Sequence, residues 1–108
     1  MLLLLCAGFL CACGDDDVGF DGDRVGGACR DDRDCEFRCQ EGGDFPQGTC
    51  TLPCNVDEDC PFGTYCVEKE GGLCLLGCDV PADCRDGYTC KGIENRGHGG
   101  DSLVCIHD

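Results

Sequence analysis

The stretch Cys54-Asn-Val-Asp-Glu-Asp-Cys60-Pro-Phe-Gly-Thr-Tyr-Cys66 carries the pattern that decides the fold, and Cys74 completes it as a set of four cysteines. The same arrangement occurs once before this set and once after it. Each set opens with two cysteines separated by five residues, and three residues separate one set from the next. The chain therefore repeats one cysteine-rich module three times, over 29–50, 54–74 and 78–105.

Cysteines at this density indicate either disulfides in an oxidising compartment or metal binding in a reducing one. Structural zinc sites favour cysteine pairs separated by about two to four residues, often with histidine. No pair here has two residues between its members, and both histidines, His98 and His107, lie at the far end. The pattern therefore predicts disulfides, with no metal and no cofactor. The predicted disulfide residues are Cys29, Cys35, Cys39, Cys50, Cys54, Cys60, Cys66, Cys74, Cys78, Cys84, Cys90 and Cys105.

Modules two and three are each predicted to consist of two turns followed by a β-hairpin, and module one is a shorter, divergent copy without the second turn. An aspartate precedes the second cysteine in every module, at Asp34, Asp59 and Asp83, and such side chains favour turns by accepting hydrogen bonds from nearby backbone N–H groups. The segment from Cys66 to Cys74 has short β-prone ends around a Gly-Gly pair, which is typical of a hairpin. We expect a small disulfide-rich fold of three tandem four-cysteine modules, made of turns and short β-hairpins with little or no helix.

Four cysteines in a module permit three pairings, and the sequence leaves all three open. We favour first to third and second to fourth, because this pairing interlocks the turns with the hairpin. The bonds are needed because only thirteen Leu, Ile, Val and Phe residues lie from Cys29 to Cys105. That is about one residue in six, below the roughly 20% under which a chain does not build a core. Closing a loop of about 15 residues with a disulfide stabilises by roughly 3 kcal/mol in the chain-entropy model.

The first twelve residues carry no charge and form an apolar segment, shorter than the about 20 residues that span a bilayer. The segment suits a secretory signal. Its end, Leu10-Cys11-Ala12-Cys13, resembles the lipobox of bacterial lipoproteins, which implies a signal peptide over 1–12 and lipid attachment at Cys13. We therefore expect a lipid-anchored protein of the cell envelope that faces the periplasm or the exterior and contacts the membrane only through its anchor. Secretion with a free N-terminus and an uncleaved or misassigned leader are the alternatives.

Residues 13–28 are rich in Gly and Asp, and their only larger apolar residues are Val18, Phe20 and Val25. Such a composition favours a solvated chain without a fold of its own. We expect an acidic Gly/Asp tether over 13–28 that holds the modules away from the membrane. The formal net charge of −14 and the absence of a basic stripe exclude nucleic-acid binding.

The stretch from Cys54 to Cys66 resembles the N-terminal cysteine-rich domain of the Dickkopf family, in which Cys-x-x-Asp-x-Asp-Cys-x-x-Gly-x-Tyr-Cys recurs. The matching positions are Asp57, Asp59, Gly63 and Tyr65. The stretch from Cys78 to Cys90 is a looser match, with Pro81 in place of the first Asp and Tyr88 one position early. Members are secreted animal proteins, and some antagonise Wnt signalling, so the resemblance implies Wnt antagonism. The bacterial type of leader points away from that role, because a bacterial cell lacks the receptor.

Few other residues of the sequence suggest metal binding or catalysis. The Asp-rich turns at 31–34 and 57–59 offer the oxygen ligands that calcium prefers, but neither matches a calcium-binding loop, and we interpret both as turn formers on a solvated face. Ser102 is the only serine, and His98 lies in a glycine-rich loop. Since a nucleophile needs a base and an orienting partner, we expect no enzymatic activity.

The remaining hypothesis is a non-catalytic surface module that contacts an unknown protein or glycan. The predicted contact residues are the aromatics Phe45, Phe62, Tyr65 and Tyr88, which in the alternative interpretation only cover the disulfides. The alternative function is a small disulfide-rich protease inhibitor in which Arg96, within the loop Lys91 to Val104, enters a basic-specific protease pocket. The glycines of that loop argue for flexibility, which raises the entropic cost of binding.

Overall fold

A computed structural model describes residues 17–107, so the expected signal peptide, Cys13 and residues 14–16 lie outside the described part. Six strands form three separate antiparallel hairpins. The strands are β1 (Arg38–Gln40), β2 (Thr49–Thr51), β3 (Thr64–Val67), β4 (Leu73–Leu76), β5 (Thr89–Glu94) and β6 (Asp101–Ile106). A short 3₁₀ turn precedes each hairpin, at Asp32–Asp34, Asp57–Asp59 and Pro81–Asp83. No α-helix occurs within residues 17–107, and the expected disulfide-rich, mostly non-helical fold is confirmed.

The hairpins share one register. In each of them the third and fourth cysteines of the module lie directly opposite one another across the strands. These opposed pairs are Cys39 with Cys50, Cys66 with Cys74, and Cys90 with Cys105. The tight connection between β3 and β4 requires residues that tolerate positive φ, and Gly71 and Gly72 supply it at +82° and +114°.

The hydrophobic core is shared between the modules. One buried cluster brings Phe45 of module one together with residues of modules two and three, namely Val67, Leu73, Leu75, Val104 and Ile106. Phe45 is only 2% exposed. A second cluster packs Val25 and Leu52 against the buried sulfurs of module two. Each module thus completes its burial with side chains from another module.

Backbone hydrogen bonds also join modules two and three. The N–H of Glu68 donates to the carbonyl of Glu94 at 2.9 Å, and the N–H of Arg96 donates to the carbonyl of Cys66 at 3.0 Å. These bonds hold the third hairpin against the second.

The prediction of a solvated tether is wrong for residues 17–28. Val18 and Val25 form a parallel β-bridge, and Val25 is completely buried in the second cluster. The N–H of Gly26 donates to the carbonyl of Cys50 at 2.9 Å. Glycine is required at this place, because a Cβ on Gly26 would collide with the Gly19 carbonyl oxygen and the Leu76 side chain. A composition poor in apolar residues therefore folds here, since disulfide-rich modules offer an apolar surface to pack on.

Candidate functional site

Disulfides fix the shape of every module, and each joins first cysteine to third or second to fourth. The bonds are Cys29–Cys39, Cys35–Cys50, Cys54–Cys66, Cys60–Cys74, Cys78–Cys90 and Cys84–Cys105. Their Cα–Cα distances run from 5.4 Å in Cys35–Cys50 to 5.9 Å in Cys29–Cys39, which is ordinary disulfide geometry. This pairing is the one that the sequence favours. Within residues 17–107 no disulfide joins two modules.

The aspartate before the second cysteine closes the first turn of each module. In module two, Oδ2 of Asp59 accepts the N–H of Asn55 at 2.8 Å and that of Val56 at 3.3 Å. The equivalent contacts are Asp34 with the N–H of Arg30, and Asp83 with the N–H groups of Asp79 and Val80. These N–H donors hold the pKa of Asp34 and of Asp83 below its ordinary value, because they stabilise the charged carboxylate.

A second aspartate, two residues before the one that closes the turn, hydrogen-bonds the turn to the hairpin. The N–H of Cys39 donates to Oδ1 of Asp32 at 2.9 Å, and the N–H of Cys66 donates to Oδ1 of Asp57 at 2.8 Å. Pro81 occupies this place in module three and has no carboxylate to make the bond. The Asp-rich turns therefore direct carboxylate oxygens at backbone donors, which is the behaviour of turn formers.

The four aromatic contact residues expected from the sequence separate into two pairs. Phe62 is 100% exposed and Tyr65 is 41% exposed. Phe45 lies in the core, and Tyr88 packs against the same core while its hydroxyl donates to the carbonyl of Pro46 at 3.0 Å. The prediction of an exposed contact role is therefore wrong for Phe45, which crosses from its own module and is buried in the shared core, whereas Tyr88 is only partly buried.

Arg96 is held against module two. Its Nη1 lies 2.8 Å from Oε1 of Glu68, and its side-chain stem packs over Gly72, where a Cβ would come within 2.8 Å of the arginine Cδ. The Arg96 N–H is bonded to Cys66 as described above. A protease pocket would have to break these contacts before it received the guanidinium, so the geometry gives the inhibitor hypothesis no support.

A polar cluster forms where the second and third modules meet. Asn95 is 1% exposed, and its Nδ2 donates to Oδ1 of Asp57 at 2.9 Å and to Oγ of Ser102 at 3.0 Å. His98 places its Nε2 3.3 Å from Oδ2 of Asp57. His98 and Ser102, the two residues weighed for chemistry, thus reach one cluster, but among residues 17–107 no hydrogen bond joins them directly. The sequence did not single out Asn95, whose signal is an asparagine that ends a β-prone run before Gly97.

Asp57 is the charged centre of this cluster. Partial burial raises its pKa, but the N–H of Cys66, the amide of Asn95 and the nearby His98 together outweigh burial. The pKa of Asp57 therefore lies below its ordinary value, and the carboxylate stays charged under mildly acidic conditions.

Four groups of side chains in residues 17–107 bring possible metal ligands close together. Three groups of cysteine sulfurs lie close together, and all of these cysteines belong to the disulfides. Carboxylate oxygens of Asp17, Asp23 and Glu36 lie within 4.8 Å of one another. These carboxylates lie at the surface, and Glu36 is also 3.9 Å from Nε of Arg24, which already supplies a positive charge.

Two cavities adjoin where the N-terminal segment, module one and module three meet, and they share Ala28 and Gln47. We call their joint volume the Ala28 cleft. The larger cavity is about 890 Å³, and Phe20, Asp21, Pro81, Ala82, Arg85, Asp86 and Tyr88 are among its lining residues. The smaller is about 630 Å³, and its lining includes Arg30, Asp34, Glu41 and Pro46. Both volumes fall in the range of ligand-binding clefts.

Long-range contacts build the Ala28 cleft, so no local sequence pattern predicts it. Nη2 of Arg85 donates to the carbonyl of Gly48 at 2.6 Å, and the Tyr88 hydroxyl bond to Pro46 lies beside it. These contacts bring the third module against the first across residues about 40 apart in sequence. No local motif marks either wall.

No protein-family model matches the chain, and neither a curated protein nor a solved structure matches it. The resemblances to the lipobox and to the Dickkopf domain stay predictions from the sequence. Within the described residues, no helix is long and apolar enough to cross a membrane.

Proposed function

We propose that this small disulfide-bonded chain is exported, anchored by lipid at Cys13, and acts at the cell surface as a non-catalytic module that binds another protein. The six disulfides support export, because such bonds persist in oxidising compartments. The leader supports both export and the anchor, since it ends in the lipobox-like sequence at Cys13.

The observation that carries the binding role is the complete exposure of Phe62. Moving a side chain of this size from water into an apolar pocket is worth about 1.5–3 kcal/mol. Aromatic residues of this kind are enriched among the residues that dominate binding energy at interfaces. Phe62 is thus the strongest candidate anchor on the described surface.

The turn that presents Phe62 is held rigid on both sides. The hydroxyl of Thr64 donates to the carbonyl of Pro61 at 2.7 Å, and the Thr64 N–H donates to the same carbonyl at 3.1 Å. The turn begins at Cys60, which is bonded to Cys74. A side chain on a fixed turn loses less conformational entropy on binding than one on a mobile loop.

Charge complementarity favours a partner with a basic surface. The net charge of −14 repels acidic partners and attracts basic ones, which raises the rate of association at low salt. The proposed partner is therefore an envelope protein with an apolar pocket for Phe62 and Lys or Arg residues around it.

The test compares Phe62→Ser with Phe37→Ser, which removes the same side-chain type from the equivalent turn of module one, where the residue is 48% exposed and lies over Arg24. Each oxidised protein is used to capture partners from envelope extracts without reductant. We expect a specific partner with wild type and Phe37→Ser, and loss of that partner with Phe62→Ser. Equal capture by both variants would contradict the role of Phe62.

The anchor is tested separately by labelling cells with radioactive palmitate. We expect label on the wild-type chain and none on Cys13→Ser, which should also leave the membrane fraction. Label that persists in Cys13→Ser would remove the lipid assignment and leave the binding role to be judged on Phe62 alone.

A further inference from the structure

We propose that the Ala28 cleft binds an extended peptide segment that carries lysine or arginine. The cleft is formed by the N-terminal segment, module one and module three, and Phe62 is absent from its lining. It is therefore a second binding site, whose existence does not depend on the role proposed for Phe62.

The charges of the cleft favour a cationic ligand. Both guanidinium groups that line it already have partners: Nε of Arg30 lies 3.5 Å from Oδ2 of Asp34, and Arg85 bonds the Gly48 carbonyl and lies 4.6 Å from the centroid of the Tyr88 ring. By contrast, three carboxylates of the lining have no hydrogen bond or ion pair within residues 17–107. These are Asp21, Glu41 and Asp86. The lining thus holds four carboxylates, of Asp21, Asp34, Glu41 and Asp86, against the two guanidinium groups, so its net charge is negative.

The backbone of the cleft favours a peptide over a small amine. The N–H of Gly26 donates to Cys50 and the N–H of Cys29 donates to the carbonyl of Gln47 at 3.1 Å, so both sides of Ala28 are paired with module one. Ala28 itself is exposed, and among the described residues its N–H and C=O make no hydrogen bond. An extended peptide supplies both an acceptor and a donor to such a residue, as in strand addition.

Apolar side chains in the lining of the cleft offer a surface for the methylene stems of Lys and Arg. Phe20 is 47% exposed, and Pro81 and Ala82 lie on the same cavity wall. The methylene stems of Lys and Arg pack on apolar surface while their charged ends reach carboxylates or water. A basic side chain that enters the larger cavity would therefore lie along Phe20 with its charge directed at Asp21 and Asp86.

The experiment measures fluorescence anisotropy of a short labelled peptide of alternating Lys and Leu with the full-length oxidised chain at low salt. The cleft variant is Asp21→Asn/Asp86→Asn. The matched control is Glu58→Gln/Glu94→Gln, which removes the same charge from two exposed residues outside the cleft. We expect the cleft variant to weaken binding about tenfold and the control variant to weaken it less than about twofold.

Two further ligands test the peptide class. A peptide of alternating Glu and Leu should not bind, and spermidine should displace the labelled peptide only at far higher concentration, since it offers no backbone to Ala28. Equal weakening by the two double variants would reduce the effect to overall charge and overturn the site. Displacement by spermidine at the same concentration as by unlabelled peptide would overturn peptide recognition, and so would the absence of any anisotropy change at millimolar protein.

Discussion

Asp59 shows at the scale of one residue what the repeated aspartate does. It accepts two backbone N–H groups that would otherwise lack a partner at the start of a turn. Glu58, its neighbour, is exposed and makes no side-chain bond within residues 17–107, although it carries the same charge. The function of the aspartate lies in its short reach to the backbone, which the longer side chain of Glu58 does not reproduce.

We expect Asp59→Ala to lower the free energy of unfolding of the oxidised protein by about 1 kcal/mol, the usual effect of losing such a cap. Glu58→Ala is the control and should change it by less than about 0.5 kcal/mol. Denaturant unfolding without reductant measures both. Equal effects of the two substitutions would show that the two hydrogen bonds contribute nothing.

The lowered pKa of Asp57 makes the free energy of unfolding depend on pH. Because its folded pKa lies below the ordinary value, the unfolded chain binds more protons than the folded protein in acid. The stability contributed by Asp57 is therefore complete above the ordinary aspartate pKa and is lost as the pH falls through the lowered folded pKa.

We expect the free energy of unfolding of wild type to lose this contribution on acidification below about pH 4, and Asp57→Asn to lack that part of the pH dependence. Glu58→Gln, which removes the same charge next to Asp57, should retain it. Unfolding curves at several pH values decide the matter, and identical pH profiles for wild type and Asp57→Asn would contradict the linkage.

At the scale of the element, the hairpin of β3 and β4 contains two adjacent glycines, Gly71 and Gly72, that differ in the space around them. Both have positive φ, so a side chain at either place is strained. A Cβ at Gly71 would meet open space, whereas a Cβ at Gly72 would collide with the backbone oxygen of Cys54 and the side chain of Arg96. The two positions thus separate the cost of conformation from the cost of packing.

We expect Gly71→Ala to destabilise the oxidised protein by about 1 kcal/mol, the cost of the backbone conformation alone. Gly72→Ala should cost about 3 kcal/mol or more, because the Cys54 carbonyl must move as well. Thermal unfolding of the two variants gives the comparison, and the same loss from both would show that the collision is relieved without cost.

Turns and hairpins could be predicted from the sequence because their causes are local: the Asp before each second cysteine and the Gly-Gly pair act on neighbouring residues. The cysteine pairing was only favoured among three possibilities, because the sequence does not fix it. The sequence also predicts Phe62 as a contact residue, and its side chain is fully exposed. The Ala28 cleft and the burial of Phe45 and Val25 could not be predicted from the sequence, because they depend on how the modules pack against one another.

At the scale of the whole molecule, the three repeated modules share one hydrophobic core. No disulfide crosses between modules, since every disulfide within residues 17–107 joins two cysteines of the same module. The stabilities of the modules are nevertheless coupled, because the Phe45 side chain of module one packs against Val67 of module two and Val104 of module three. The low apolar content that argued against a core is sufficient when three modules contribute to one.

We expect Phe45→Ala to lower the free energy of unfolding by about 3–5 kcal/mol, as for other buried phenylalanines. Phe37→Ala, at a half-exposed site of the same module, should cost far less. Hydrogen exchange of Val67 and Val104 amides reports on modules two and three, and both should exchange faster in Phe45→Ala. Unchanged exchange there would mean that the modules are stable independently.

The register of the hairpins has a consequence for oxidative folding in the cell. Cysteines such as Cys66 and Cys74 face each other across β3 and β4, about 4.5–5.5 Å apart by Cα in such ladders, which a disulfide spans. The native partners, Cys54 and Cys60, lie in the preceding turn. A hairpin that oxidises before its turn docks would therefore form a non-native bond between its two facing cysteines, and thiol–disulfide exchange would have to rearrange that bond before the native pair could form.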